Sequence, residues 1–327
     1  MKFYLAPLEG ITGYIYRNAL HDFYGKGIDK YFMPFLAPHT KRSFSAKEKN
    51  DILPEHNKAL YAVPQILTNN ASDFLRIEKD LRALGYEEIN INLGCPSGTV
   101  VSKGRGAGFL AKKDELDAFL EEIFEKTEGK ISLKTRIGME KPEEFYELLE
   151  IYNKYPLEEL IIHPRVQKEL YQGKPHMEIF HYARKYSKKP LSFNGDIYTK
   201  EDYVNRIKEW ESEDDKEESL MDVSAFMLGR GVLKTPWLIK ELAGDAFSEE
   251  KEAVTDKQKL LAFHDRLLTD YKSVMSGDKN VLFKMKELWM YLQYQFEDRE
   301  KAAKKIKKAN NLMEYQAAVR EMFSLQR

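Results

Sequence analysis

Eight short apolar runs, each followed by a polar stretch, constrain this chain more than any other feature. They cover residues 3–8, 31–36, 62–67, 88–92, 131–136, 159–163, 191–196 and 225–230. The intervening segments carry apolar residues at helical spacing, as in 71–85 (Phe74, Leu75, Ile77, Leu81, Leu84) and 114–126 (Leu116, Phe119, Leu120, Ile123, Phe124). Asn70 or Ser72 is placed to cap the first of these helices and Gly85 to end it. Strands that alternate with helices must run parallel, because each helix carries the chain back over the sheet. Eight such units over roughly 240 residues are the size of an α/β (β/α)8 TIM barrel. An open doubly wound sheet is the other arrangement, but the first strand–helix turn lacks Gly-x-Gly-x-x-Gly.

Past Gly244 the alternation stops, and residues from about Thr255 read as helices only: the apolar set Leu260 to Tyr271, then 281–296, then 302–323. The expected division is a barrel over residues 1–245 and a small C-terminal all-helical domain over 250–327. Charge follows it: the net charge of -1 hides 16 Lys and Arg against 11 Asp and Glu from Lys251 to Arg327. The densest basic run, 299–308, is either a solvated helix face or a phosphate-binding surface. Trp289, Tyr291, Tyr294 and Phe296 read as core, and the acidic run 209–218 as solvated surface. The N-terminal apolar run is too short for a signal peptide and no run of about 18 apolar residues occurs, so a cytoplasmic protein is expected. A single cysteine excludes an internal disulfide and a Cys-based zinc site, and no His or carboxylate pair stands at ligand spacing, so no metal is expected.

A barrel works at the C-terminal ends of its strands. Those ends supply Gln65, Asn92, Cys95, Lys134, Arg136, His163, Arg165, Asn194, Asp196, Gly229 and Arg230. Cys95 sits among turn formers in Asn92-Leu93-Gly94-Cys95-Pro96-Ser97-Gly98, where a thiol stays accessible. Phe193-Asn194-Gly195-Asp196 and Leu228-Gly229-Arg230-Gly231 close the seventh and eighth runs. Barrels frequently hold phosphate there on backbone N–H groups, so a phosphorylated cofactor is implied. Lys134 and Arg136 share one strand face; they either meet an electron-rich partner such as an anionic ring or form rim salt bridges.

In order and spacing these motifs resemble the tRNA-dihydrouridine synthase family. The resemblance runs through Ala6-Pro7-Leu8-Glu9-Gly10-Ile11-Thr12, Pro64-Gln65-Ile66, the Cys95 motif with its glycine-rich sequel from Lys103 to Leu110, Leu133-Lys134-Thr135-Arg136, His163-Pro164-Arg165, Tyr171-Gln172-Gly173, Asn194-Gly195-Asp196-Ile197 and Gly229-Arg230-Gly231. It implies an FMN-binding barrel and a C-terminal helical domain that grips tRNA, in a monomer that uses NADPH, or more broadly NAD(P)H, as reductant. By resemblance Ala6, Pro7, Leu8, Gln65, Lys134 and His163 surround the flavin ring. Asn194, Gly195, Gly229 and Arg230 bind its phosphate, with Asp196 among the cofactor-binding residues. Asn92, Lys103, Arg136, Arg165 and Tyr171 contact the substrate, and Cys95 is the general acid. Reducing the C5–C6 bond of uracil takes a hydride at C6 and a proton at C5, which a thiol on a loop can deliver. Two other readings stay open: an FMN barrel acting on a free small molecule, and a non-catalytic RNA-binding barrel.

Overall fold

The computed structural model describes residues 1–39, 44–214, 220–244 and 256–325. Its strands are β1 (Lys2–Leu5), β2 (Lys30–Phe32), β3 (Ala62–Val63), β4 (Gln65–Ile66), β5 (Glu88–Leu93), β6 (Lys130–Arg136), β7 (Glu159–His163), β8 (Leu191–Asn194) and β9 (Val223–Leu228). They form one sheet in the order β3-β2-β1-β9-β8-β7-β6-β5-β4, parallel at every pairing. The nine strands are the eight apolar runs, because Pro64 divides the third. Proline has no N–H for the ladder, so β3 pairs only with β2 and β4 only with β5. The two ends of the sheet are therefore halves of one run, and the barrel closes there. Leu36 fastens the seam: its N–H donates to Gln65 O (2.7 Å) and its carbonyl accepts from Leu67 N (2.9 Å).

Alternate residues of each strand point in and out. Tyr4, Ala6, Phe32, Val63, Ile161, Ala225 and Met227 fill the barrel, while Leu5, Tyr31, Ile89, Ile91, Leu133, Leu160 and Phe226 pack outward under the helices. At the N-terminal ends the partly buried Lys30 sits between Glu88 (2.6 Å) and Glu159 (3.5 Å), and the Tyr4 hydroxyl donates to Glu159 (3.1 Å). Charge is thus paired at the closed end, leaving the open end for chemistry. Helix Ala71–Ala83 starts where expected: Asn70 Oδ1 accepts from Asp73 N (2.8 Å), and Gly85 follows the helix at φ +93°.

The C-terminal part consists of helices Asp256–Val274, Asp278–Leu292, Glu300–Lys308 and Leu312–Ser324. The expected helical run 302–323 is broken near its middle. Asn311 is a poor interior residue but a good cap, and its Oδ1 accepts from Glu314 N (2.9 Å) to start a new helix. Their shared core centres on fully buried Tyr315, whose hydroxyl accepts from Trp289 Nε1 (2.7 Å) and meets His264 Nε2 (2.7 Å). Trp289 and Phe296 are core as expected, whereas Tyr294 is 51% exposed. Phe263 packs edge-on against Tyr16, Phe23 and Tyr24 of the first barrel helix, Tyr14–Tyr24. Gln295 Nε2 donates to Lys234 O and Thr235 Oγ1, both at 2.9 Å, so the helices are joined to the barrel rim. The expected boundary at 245–250, and residues 215–218 of the acidic run, lie outside the described residues. Among the described residues no helix is long and apolar enough to cross a membrane, and no group of three or more His, Cys, Asp or Glu is placed to hold a metal ion.

Candidate active site

The strand ends converge on an open polar cleft. It is lined by Ala6, Pro7 and Leu8 from the end of β1, Gln65 from β4, Asn92 and Cys95 after β5, Lys134 and Arg136 from β6, and His163 from β7. Tyr171, Asn194, Gly195, Asp196, Gly229 and Arg230 complete the wall. Two expected site residues are absent from that wall. Lys103 is exposed and does not line the cleft; its carbonyl accepts from Asn69 Nδ2 (3.2 Å). Arg165 is fully buried, and its guanidinium is taken up inside the protein: Asp196 in a bidentate pair (3.1 and 2.6 Å), the carbonyls of Gln172 (3.0 Å) and Gly173 (2.6 Å), and His163 Nε2 (3.2 Å).

A polar ladder crosses the cleft floor. Asn90 Nδ2 donates to Ser132 Oγ (2.9 Å), Gln65 Nε2 to Asn90 Oδ1 (2.7 Å), and Asn92 Nδ2 to Gln65 Oε1 (2.7 Å). Asn92 Oδ1 then accepts from the N–H groups of Gly94 (3.1 Å) and Cys95 (2.9 Å). Each member is buried, so each needs these partners, and the ladder sets the backbone carrying the thiol. The glycine-rich sequel packs beneath that backbone. Gly106, at φ +55°, lies so close that an added Cβ would stand 2.8 Å from Cys95 O, and Ala107 N donates to the same carbonyl (3.0 Å).

Arg136 forms no ion pair among the described residues, so the rim salt bridge is not its role. Nε donates to Gly94 O (3.1 Å), and the terminal nitrogens to Val166 O (2.9 Å) and Leu170 O (2.5 Å). It ties the Cys95 loop to the loop carrying Tyr171. Gln167 adds a second tie, its Nε2 donating to Pro96 O (3.0 Å). Leu170 is held at φ +53°, an unfavourable backbone region for a branched residue, and Tyr171 follows it over the cleft. Sequence reasoning missed Gln167, and no local pattern marks it; only the approach of the two loops gives it a partner.

Electrostatics divide the wall residues by protonation state. Burial pushes the Cys95 thiol up, opposed by a Ser97 backbone N–H and by Lys134 and Arg136, so the thiol keeps its proton at neutral pH. Burial, with Arg136 nearby, pushes Lys134 down to about 7. Its ammonium has no protein hydrogen-bond or ion-pair partner among the described residues. His163 is held well below its ordinary range by burial and then by Arg136, Lys134, Arg165 and Arg230. It is therefore neutral, and with Nε2 accepting from Arg165 its proton sits on Nδ1. Asp196 accepts from Arg165 and from Arg230 (2.8 Å). Asn194 Nδ2 donates to Met227 O (2.8 Å), bracing β8 against β9.

The wall has features that fit a phosphorylated, electron-rich ligand. Lys134 is a buried amine, only partly charged near neutral pH, with no protein partner among the described residues to hold its charge at a polar cleft. At Gly195, on the cleft wall, an added Cβ would collide with the Phe193 ring, and at Gly231, buried behind Arg230, with the Ile197 carbonyl, so both positions require glycine. Helix Arg230–Lys234 begins beside them, directing N–H groups without helical partners at the wall.

The mouth of this closed parallel barrel thus gathers a protonated thiol, a neutral imidazole and an amine without a protein partner among the described residues in one cleft, the arrangement of an α/β-barrel active site. The chain matches the family model described as dihydrouridine synthase (Dus) over residues 4–324. It belongs to that family, whose members are oxidoreductases. It is 25% identical over 246 residues to tRNA-dihydrouridine synthase B of Pasteurella multocida (strain Pm70), covering 73% of this chain and 68% of the relative. It is 26% identical over 265 residues to tRNA-dihydrouridine(16) synthase of Aquipseudomonas alcaligenes, covering 77% and 78%. The figure is 24% over 285 residues for probable tRNA-dihydrouridine synthase 2 of Bacillus subtilis (strain 168), covering 82% and 78%.

Proposed function

We propose that this protein reduces uridines of tRNA to dihydrouridine, with FMN as cofactor and NADPH as reductant. The observation that carries the reading is the pair Cys95 and Lys134 in one cleft, a thiol kept protonated and an amine kept without a protein partner among the described residues. FMN, when bound, supplies the hydride that C6 of the uracil accepts. Lys134, Gln65 and His163 Nδ1–H form the polar edge that receives its ring, and Gly195, Gly229 and Arg230 receive its phosphate. Cys95 holds the proton destined for C5, and Asn92, Arg136 and Gln167 hold the loop that presents it. Tyr171 covers the mouth of the cleft and limits water there. Three of the relatives that match this chain are named for tRNA, which supports tRNA over a free pyrimidine.

Extruding a base from folded RNA costs a few kcal/mol of stacking. The C-terminal helices offset it by holding the backbone. Lys301, Lys304, Lys305 and Lys308 line one groove there, and only Lys305 of the four is paired with a carboxylate, Glu321, among the described residues. The test is incubation with unmodified tRNA and NADPH, followed by mapping of dihydrouridine by position. Protein that carries no flavin after purification and takes none up ends the proposal.

A further inference from the structure

Cations and aromatic rings alternate from the cleft to the C-terminal helices. The Arg230 guanidinium lies 4.4 Å from the Tyr171 ring and 5.5 Å from the Tyr198 ring. Lys234 Nζ lies 4.4 Å from Tyr198 and 4.7 Å from Tyr294, and the Arg299 guanidinium 4.8 Å from Tyr294. Four separate elements supply the rungs: the segment after β7 (Tyr171), the segment after β8 (Tyr198), the helix Arg230–Lys234, and the turn after helix Asp278–Leu292 (Tyr294 and Arg299). We propose that this run is the track for the RNA strand flanking the reacting uridine, with phosphates on Lys234 and Arg299 and a base against the exposed Tyr294 ring. This rests on the tRNA reading above and adds which surface the strand crosses.

Two features separate this run from ordinary surface polarity. Lys234 has no carboxylate partner among the described residues; it is held between two tyrosine faces, which fix the ammonium and leave its N–H groups for an anion. Tyr294 is 51% exposed although its neighbours Trp289 and Phe296 are core, so its ring is accessible to a base beside Lys234 and Arg299. The opposite flank of the cleft is unsuited to a phosphodiester. A larger cavity there is lined by Glu9, Glu48, Asp51 and Glu287, and its two lysines are already paired, Lys47 with Glu9 (3.1 Å) and Lys284 with Glu287 (3.0 Å). On that side the carboxylates and cations already pair with one another, Asp51 with Arg17 and Glu48 with His39 as well, so no free cation is offered to a phosphate, whereas Lys234 on the other side has no carboxylate partner, both among the described residues.

The experiment measures tRNA affinity by fluorescence anisotropy as a function of salt, for the FMN-loaded wild type, Lys234→Gln, Tyr294→Ala, Tyr294→Phe and the opposite-flank control Lys47→Gln. Lys234→Gln is expected to weaken binding about tenfold at low salt and to lower the slope of log K against log salt by roughly 0.7–0.9, one phosphate contact. Tyr294→Ala is expected to lose about tenfold with the slope retained, and Tyr294→Phe to keep wild-type affinity. Unchanged affinity in Lys234→Gln or Tyr294→Ala, or an equal loss in Lys47→Gln, overturns the track. Dihydrouridine formation by the wild type is scored separately. Its absence overturns the catalytic proposal, while the binding series still decides where RNA lies.

Discussion

Lys134 offers the sharpest quantitative test, because its environment specifies both a sign and a size. Displacement from 10.5 to about 7 corresponds to roughly 5 kcal/mol against the charged form, at 1.36 kcal/mol per pH unit. The folded value lies below the unfolded one, so between pH 7 and 10.5 the unfolded chain binds the extra proton. In the flavin-free protein, stability attributable to this residue therefore rises with pH across that window. An electron-rich ring edge at the ammonium offsets the penalty and returns the group toward its ordinary value. Binding FMN at pH 8 should then take up about 0.9 proton, and at pH 7 about half of one, since the empty site is largely deprotonated at the first and half at the second. Titration calorimetry in buffers of different ionisation enthalpy reads this number directly. Lys134→Met should bind FMN more weakly and take up none. Wild-type binding without proton uptake at pH 8, or uptake that persists in Lys134→Met, would refute the placement of this cation against the ring.

Cys95→Ala should keep its affinity for FMN and tRNA, and its reduction by NADPH, while oxidation of the reduced enzyme by tRNA slows about 10²–10⁴-fold, the scale of a lost general acid; rapid-mixing absorbance separates the two steps. Because burial raises the thiol above its usual range and keeps His163 neutral, the tRNA-dependent step should show no inflection in the ordinary histidine range and should fall only in alkali, as a pH–rate profile will show. Gln167→Leu removes the donor to Pro96 O and should slow that same step about tenfold with KM for tRNA retained; an unchanged rate means the tie does not position the thiol. Gly231→Ala drives a methyl into the Ile197 carbonyl and should lower FMN content and Tm together. Replacing Lys304 and Lys308 with Gln should weaken tRNA binding and flatten its salt dependence; equal affinity identifies that helix as a solvated face.

The barrel was legible because period and length are local properties. Eight β-like runs separated by helical spacing leave few closed arrangements, and even the division of the third run at Pro64 follows from a missing N–H. Most of the cleft wall was legible for a related reason: in a parallel barrel the C-terminal strand ends must meet, so Gln65, Asn92, Lys134, His163 and Asn194 share a site once the strands are placed. What each of those side chains touches was not legible, since a guanidinium looks the same in sequence whether it meets substrate or carbonyl oxygens. Arg165 and Arg136 both read as substrate residues, yet the first is enclosed by Asp196, His163 and two carbonyls, and the second joins two loops. The position of Gln167 against Pro96, the burial of Lys134 beside Arg136 without a protein partner among the described residues, and the alternation of Arg230, Tyr198, Lys234 and Tyr294 likewise arise between segments far apart in the chain. The sequence by itself determined the element pattern, the barrel and the chemical types at its mouth, because those depend on neighbours a few residues apart. Only the tertiary structure decided which of those groups are already satisfied by the protein and which remain open to a ligand, because burial and hydrogen-bond partners come from long-range packing.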